Sequence, residues 1–220
     1  DVTALGALRI LESMRILKLK KTKYYQASSS EMYGLVKKKK SLDELTPFHP
    51  RSIYGVSKVF AYHTAVHYRE AYGIFASNGI LFNHESPRRG PNFVTKKIIQ
   101  GLVRIKKGEQ KILTLGNLYT KRDWGHAKDY VESMWKILQQ KKPDDYVIGT
   151  KKSISVKRFV EITAKKLGLN YTDSDQKIVS DAGISITEIF ELAGEAKFRE
   201  MEFQAITKLV LSKPQIIATG

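Results

Sequence analysis

Short β-prone runs alternate with long amphipathic runs along most of this chain, and this order limits the possible folds more than any other feature. Apolar residues recur at helical spacing in residues 54–72, 95–107 and 126–139. The intervening β-prone runs are residues 24–28, 74–82 and 146–148. Parallel strands need long crossover connections, and a helix is the usual one. The alternation therefore predicts the α/β class, with a mainly parallel sheet and flanking helices.

The remaining elements are predicted from the same periodicities. They are helices at 5–14 and 155–167, a short strand at 111–115, and helices near 186–193 and 198–211. The pattern weakens after Gly168, so residues 171–220 are predicted only as a divergent tail of unknown structure.

Composition excludes several classes of protein. The chain has 220 residues, 42% of them apolar and 27% charged, which is the balance of a soluble globular protein. It has no Cys, which rules out disulfides and thiolate sites, and a reducing cytoplasm is the default compartment. No apolar run approaches the ~18 residues of a membrane span, and no basic start leads into an apolar run as in a secretory signal. We therefore expect no membrane contact.

Tyr54 and Lys58 lie four residues apart on a predicted helix, so their side chains share one face. A phenol has a pKa of about 10, and a neighbouring ammonium lowers it by stabilising the phenolate. Tyr54 could then take a proton from a substrate hydroxyl. This spacing is also common by chance, and an exposed helix pair without chemistry remains an open interpretation.

Ser29 and Glu31 follow the β-prone run at 24–28. Ligands of parallel sheets gather outside the carboxyl ends of the strands, so these two side chains can converge with Tyr54 and Lys58 on one crevice. A hydroxyl, a carboxylate, a phenol and an ammonium are the groups required for proton removal coupled to hydride transfer.

Five segments resemble a known family. They are YQASSSEMYG at 25–34, PRSIYGVSK at 50–58, NGILFNHESPRRG at 78–90, LGNL at 115–118 and KRDWGHAKDY at 121–130. Together they resemble the GDP-mannose 4,6-dehydratases, which belong to the extended short-chain dehydrogenases/reductases, and the likeness runs from residue 1 to about 160. It implies a partial Rossmann-like parallel sheet with flanking helices and a smaller C-terminal substrate-binding region.

The resemblance also implies a lyase reaction with tightly held NADP, the first step of GDP-fucose synthesis. Tyr54 would deprotonate the mannose 4-hydroxyl, and Ser29 would hydrogen-bond that hydroxyl. Glu31 would remove the C5 proton before water leaves from C6. Lys58 would bind the nicotinamide ribose and lower the pKa of Tyr54.

Further binding residues follow only from the resemblance. His84 and Arg89 would contact NADP, beside Tyr54 and Lys58, although His84 could also be a histidine satisfied within its loop. The substrate GDP-mannose would be met by Asn83, Asn92, Lys97 and Arg122. Intact family members imply a homo-oligomer, either a dimer or a tetramer.

One expected feature is missing from the printed sequence. No Gly-rich turn of the kind that holds a dinucleotide pyrophosphate occurs, and the family places that turn far upstream of Ser29. We therefore expect a fragment that lacks the first half of the cofactor domain and does not turn over substrate alone. The predicted division is 1–85 for the rest of the NADP-binding domain, 86–170 for a substrate region mixed with returning Rossmann elements, and 171–220 for the tail.

Two other classes remain as alternatives. The formal net charge of +16, most of it in residues 1–150, could attract nucleic acid. No aromatic platform or nucleic-acid motif accompanies the charge, so we expect no nucleic-acid partner. An inactive chain that serves as an oligomer partner is the third possibility.

No metal is expected, because His63 and His67 have helical spacing but no third ligand.

Overall fold

A computed structural model describes residues 1–36, 41–211 and 216–218. The chain forms two compact units, and each contains two separate stretches of sequence. The first unit is Asp1–Arg88 with Arg122–Ser153, and the second is Arg89–Lys121 with Ile154–Gly220. The predicted three-part division of the chain stays a prediction.

Helices and strands alternate along the described residues, as the α/β class requires. In chain order they are α1 (Ala4–Ile16), β1 (Tyr24–Ser29), α2 (Ile53–Tyr72), β2 (Ala76–Leu81), β3 (Asn83–Glu85), α3 (Val94–Lys106), β4 (Lys121–His126), α4 (Ala127–Leu138), β5 (Asp145–Ile148), β6 (Ser153–Ser155), α5 (Val156–Lys166), β7 (Tyr171–Asp173), α6 (Ser174–Ala182), α7 (Ile186–Val210) and β8 (Ile216–Ala218). A short 3-10 turn, Ser30–Met32, follows β1.

The sheet of the first unit confirms the predicted parallel arrangement. Its strand order is β1, β2, β5, and both pairings are parallel. Every residue of β2 is buried, which explains why its sequence is a nearly continuous apolar and small-residue run. Met32, Tyr33, Tyr62 and Ile80 form a core cluster that joins the turn after β1 to α2 and β2. The carboxyl end of β1 is therefore held against α2.

Helix α2 begins and ends at residues whose chemistry explains the boundaries. The Ser52 hydroxyl accepts a hydrogen bond from the Gly55 N–H at 3.0 Å, which satisfies one of the unpaired amides of the first turn. Gly73 ends the helix in the left-handed conformation, with φ of 64°. The predicted helix at 54–72 is thus confirmed.

A third parallel pairing joins β3 and β4, and β3 begins two residues after β2 ends. Asn83 pairs with Trp124, His84 with Gly125, and Glu85 with His126. The pairing stops before Pro87, which cannot donate a backbone hydrogen bond. His126 caps α4, since its Nδ1 accepts from the Lys128 N–H at 3.2 Å.

In the second unit, α3 packs against α5 and α6 packs against α7. The predicted strand at 111–115 is wrong, because these residues form no strand and Ile112 is exposed. Gly194, with φ of 76°, interrupts α7, so the two helices predicted near 186–193 and 198–211 are confirmed. Helix α6 and the pairing of β7 with β8 were not predicted.

Candidate active site

Ser29 and Glu31 occupy the turn that directly follows β1. Ser29 is still extended, and its hydroxyl accepts a hydrogen bond from the Glu31 N–H at 3.2 Å. This cap fixes the backbone of the turn, while the Glu31 side chain stays exposed. Both groups therefore lie at the carboxyl end of a parallel strand, where such sheets bind ligands.

The first turn of α2 packs directly against this turn. A Cβ atom on Gly55 would lie 2.9 Å from the Glu31 carbonyl oxygen, a distance that real Cβ contacts do not reach. Only glycine permits this close approach of the two backbones. Because Gly55 follows Tyr54, the contact places the Tyr54 segment beside the Glu31 segment.

Lys58 links α2 to β1. Its ammonium donates a hydrogen bond to the Ala27 carbonyl at 2.7 Å and lies 5.5 Å from the centroid of the Tyr54 ring. Burial lowers the pKa of Lys58 from its ordinary value. Tyr54 itself is half exposed, so its phenol can meet a ligand. The prediction that Tyr54 and Lys58 share one helix face is confirmed.

His84 lies on β3 and contacts the Phe82 carbonyl and the Tyr130 ring. Its Nδ1 is 2.9 Å from the Phe82 carbonyl, and since a carbonyl only accepts, this nitrogen carries the proton. The imidazole stacks on Tyr130, with the ring centroids 4.8 Å apart. Tyr130 was missed by the sequence reasoning. Its hydroxyl is buried with no partner among the described residues, and burial raises its pKa to about 12.

Asn83 and Arg122 also belong to the first unit. Asn83 begins β3, one residue before His84, and its side chain is partly buried. Arg122 is exposed on β4. The next residue, Asp123, accepts hydrogen bonds from the backbone N–H and the hydroxyl of Thr150, at 2.9 and 2.7 Å. These bonds fix the strand that carries Arg122.

Three predicted site residues lie in the second unit. The Arg89 guanidinium lies 3.5 Å from the centroid of the Phe93 ring. Asn92 is exposed just before α3, and Lys97 is exposed in the first turn of that helix.

The first unit thus brings together Ser29, Glu31, Tyr54 and Lys58, whereas Arg89, Asn92 and Lys97 belong to the other unit. The individual roles of all these residues stay predictions.

Sequence reasoning also missed a polar network behind the site. Tyr62 and Arg69 of α2 and Asn78 of β2 all donate hydrogen bonds to the Asp145 carboxylate. A signal was present, because Tyr54, Lys58 and Tyr62 recur every four residues and so lie along one helix face.

Two kinds of feature are absent from the described ranges. No group of three or more His, Cys, Asp or Glu side chains could hold a metal ion in residues 1–36, 41–211 and 216–218. In the same ranges, no helix combines the length and apolar character needed to cross a bilayer.

The parallel sheet of the first unit, with its flanking helices, is that of a Rossmann-like α/β protein. The profile of one family in this class, described as GDP-mannose 4,6 dehydratase, matches residues 1–207. The chain belongs to that family.

Named relatives agree with this assignment. A GDP-mannose 4,6-dehydratase of Vibrio cholerae is 55% identical over 179 residues, which are 81% of this chain and 48% of the relative. GDP-mannose 4,6 dehydratase 1 of Arabidopsis thaliana is 52% identical over 205 residues, or 91% of this chain and 56% of the relative. The chain therefore spans about half the length of these curated relatives. The similarity favours an enzyme over a basic binding module.

Solved structures show the same fold. The dTDP-glucose 4,6-dehydratase of Bacillus anthracis in complex with NAD matches with a TM-score of 0.69 and 26% identity, covering 76% of this chain and 52% of that structure. RMD from Pseudomonas aeruginosa, complexed with NADPH, matches with a TM-score of 0.68 and 24% identity, over 74% of this chain and 56% of the other. This second likeness bears on the fold alone.

Proposed function

We propose that the whole protein to which this chain contributes converts GDP-mannose into GDP-4-keto-6-deoxymannose with loss of water, using NADP. The support is membership of the GDP-mannose 4,6 dehydratase family together with relatives of that name at 52–55% identity. The reaction is redox-neutral overall, since hydride leaves C4 of the sugar and returns to C6.

The close approach of Gly55 to Glu31 is the observation that carries this proposal. It sets a carboxylate-bearing turn directly against the first turn of the helix that carries Tyr54 and Lys58. Removal of a C5 proton and deprotonation of a 4-hydroxyl require a base for each of two neighbouring positions of one sugar ring. Two adjacent segments, each with an exposed functional side chain, can supply them.

The residues of the first unit fit the reactive end of a nicotinamide dinucleotide. The half-exposed Tyr54 phenol and the Lys58 ammonium lie at the carboxyl end of the parallel sheet, where such ligands bind. When bound, NADP supplies a hydride acceptor that also returns the hydride. The preference for NADP over NAD is part of the proposal and depends on the family resemblance.

Each catalytic residue has one proposed task. Tyr54 takes the proton of the 4-hydroxyl, which Ser29 orients by a hydrogen bond. Oxidation at C4 gives a ketone and makes the C5 proton acidic. Glu31 removes that proton and, as the carboxylic acid so formed, protonates the C6 hydroxyl, which leaves as water. The hydride then returns to C6, and a proton returns to C5. Lys58 favours the phenolate of Tyr54 by its positive charge.

The binding residues complete the proposal. His84 and Arg89 contact the cofactor, whereas Asn83, Asn92, Lys97 and Arg122 hold the substrate. Arg122 suits the diphosphate because a guanidinium can make two charge-assisted bonds to phosphate oxygens. We also propose a homo-oligomer, which the family resemblance implies. A cytoplasmic location is proposed separately, as the default compartment for a chain without Cys.

The test requires a complete cofactor domain. We would fuse this chain behind the N-terminal half of the Vibrio cholerae relative and incubate the fusion with GDP-mannose and NADP. Mass spectrometry should detect a product that has lost one water and reacts as a ketone. A folded fusion that binds NADP and yields no such product would refute the proposed reaction.

A further inference from the structure

The Asp145 carboxylate is a partly buried acid of the first unit that accepts several hydrogen bonds. Its side chain is 13% exposed, and Arg69 binds both of its oxygens, at 2.9 and 3.0 Å. The Tyr62 hydroxyl donates to Oδ2 at 2.7 Å, and the Asn78 amide donates to Oδ1 at 2.8 Å. Each carboxylate oxygen therefore accepts two hydrogen bonds.

Two of the three donors belong to the helix that carries the proposed base. Tyr62 is four residues after Lys58 and eight after Tyr54, so these three side chains lie along one face of α2. Arg69 follows Tyr62 by two turns on the same face and also donates to the Ala76 carbonyl at 3.1 Å. Asp145, at the start of β5, thus holds α2 at two points.

The third donor, Asn78, connects the Asp145 carboxylate to β1, the strand that ends at Ser29. The Asn78 side-chain oxygen accepts a hydrogen bond from the Ser28 hydroxyl at 3.1 Å. Ser28 is buried and immediately precedes Ser29. One continuous set of hydrogen bonds therefore joins β1, β2, β5 and α2.

Such a network has a geometric consequence that apolar packing lacks. The apolar contacts between α2 and the sheet are non-directional, and they tolerate small rotations of the helix about its axis. Hydrogen bonds to one fixed carboxylate are directional and oppose such a rotation. A buried ion pair usually adds little net stability, and in some proteins it serves to define a single arrangement.

The rotation of α2 determines the environment of Lys58. Its ammonium reaches the Ala27 carbonyl at 2.7 Å, and this contact spans the gap between α2 and β1. A small rotation about the helix axis would displace both Lys58 and Tyr54 from β1. Misplacement of a reacting group by about 1 Å can cost on the order of a hundredfold in rate.

We propose that Asp145 is a positioning residue for the reaction, which fixes the rotation of α2 and thereby places Lys58 and Tyr54 beside β1. The inference rests on the proposed function for the roles of Lys58 and Tyr54. Asp145 itself acts only through Tyr62 and Arg69.

The test follows the titration of Lys58 by NMR in the full chain, with an isotopic label at the lysine ε-carbon. A Lys58→Arg variant identifies the signal. In Asp145→Asn, Arg69 loses its counter-charge and the hold on α2 is weakened, so Lys58 should become more solvated. We expect its pKa to rise toward that of an exposed lysine, with a severalfold gain in proton affinity.

Asp144→Asn is the matched control. It removes the same charge one residue away, and the Asp144 side chain accepts only the Asp145 N–H among the hydrogen bonds described for it. The Lys58 titration should be unchanged there. Equal titration of Lys58 in the parent and in folded Asp145→Asn, or equal shifts in both Asn variants, would overturn the positioning role.

Tyr62→Phe covers the case in which Asp145→Asn does not fold. It removes one donor to Asp145 and keeps the ring, so a smaller shift in the same direction is expected, and an unchanged titration counts against the inference. None of these measurements needs substrate or cofactor. A fusion without dehydratase activity would therefore refute the proposed function while leaving the NMR result intact.

Discussion

Gly55 lies so close to Glu31 that a Cβ atom on Gly55 would be 2.9 Å from the Glu31 carbonyl oxygen and 3.0 Å from the Pro50 side chain. The glycine stands in the first turn of a helix, where its flexibility would ordinarily be a cost. Its place is explained by the contact, which brings the Tyr54 and Glu31 segments together.

A Gly55→Ala substitution separates the cost of a flexible glycine in a helix from the benefit of its close contact with Glu31. In an open helical position, alanine stabilises by about 1 kcal/mol relative to glycine. We expect the contact with Glu31 to cancel this gain, so that the free energy of unfolding in urea stays level or falls. Gly6→Ala in α1 is the control, because nothing lies within 4 Å of its new Cβ. Equal stabilisation by both substitutions would show that the close approach does not exist.

Tyr54→Phe and Glu31→Gln test the assigned chemistry in the fused enzyme. Loss of a general acid or base typically lowers the rate by about 10²–10⁴-fold, and we expect losses of that order in product formation. Glu31→Gln should still oxidise C4, so absorbance of the reduced nicotinamide should appear without loss of water. Near-parental turnover of both variants would show that these residues do not have the assigned tasks.

Acid should weaken the ion pair and hydrogen bonds that Asp145 makes with α2. Burial acts to raise the pKa of Asp145, but the hydrogen bonds from Arg69, Asn78 and Tyr62, together with the charge of Arg69, outweigh it, so the pKa is lowered from 3.8. The unfolded chain therefore binds more protons near pH 4, and stability from this group falls as the pH drops through that range.

The measurement is the difference in unfolding free energy between the parent and Asp145→Asn. At neutral pH this difference should approach about 3 kcal/mol, the lower end of the range for removing one partner of a buried ion pair, because the pair is only partly buried. It should shrink as the pH falls below about 4, because protonation removes the charge from the parent as well. A difference that is constant from pH 7 to about pH 3 would contradict the assigned ion pair.

Replacing Tyr by Phe should change stability in opposite directions at Tyr25 and at Tyr62. The Tyr25 hydroxyl has no partner among the described residues, and burial raises its pKa. Tyr25→Phe removes an unsatisfied polar group, so stability should rise by about 1 kcal/mol. Tyr62→Phe removes a hydrogen bond to a charged, partly buried carboxylate and should lower stability by about 1.5–3 kcal/mol. Urea unfolding of both variants measures the signs, and a loss in Tyr25→Phe would show that its hydroxyl is hydrogen-bonded.

Local patterns were enough to predict the main elements of the first unit. The helical spacing at 54–72 and the buried run at 74–82 correspond to α2 and β2. Local pattern was insufficient for 111–115, where a β-prone run forms no strand. A strand exists only when another backbone pairs with it, and no feature of the run itself reports whether a partner is present.

The printed residues alone established that Tyr54 and Lys58 share a helix face, because an α-helix repeats every 3.6 residues. They could not establish that Glu31 packs against Gly55 or that Asp145 holds Tyr62 and Arg69. Those pairs are separated by 24 or more positions along the chain. Helical and strand periods describe neighbours within one element, whereas the packing of separate elements depends on how the entire sheet assembles.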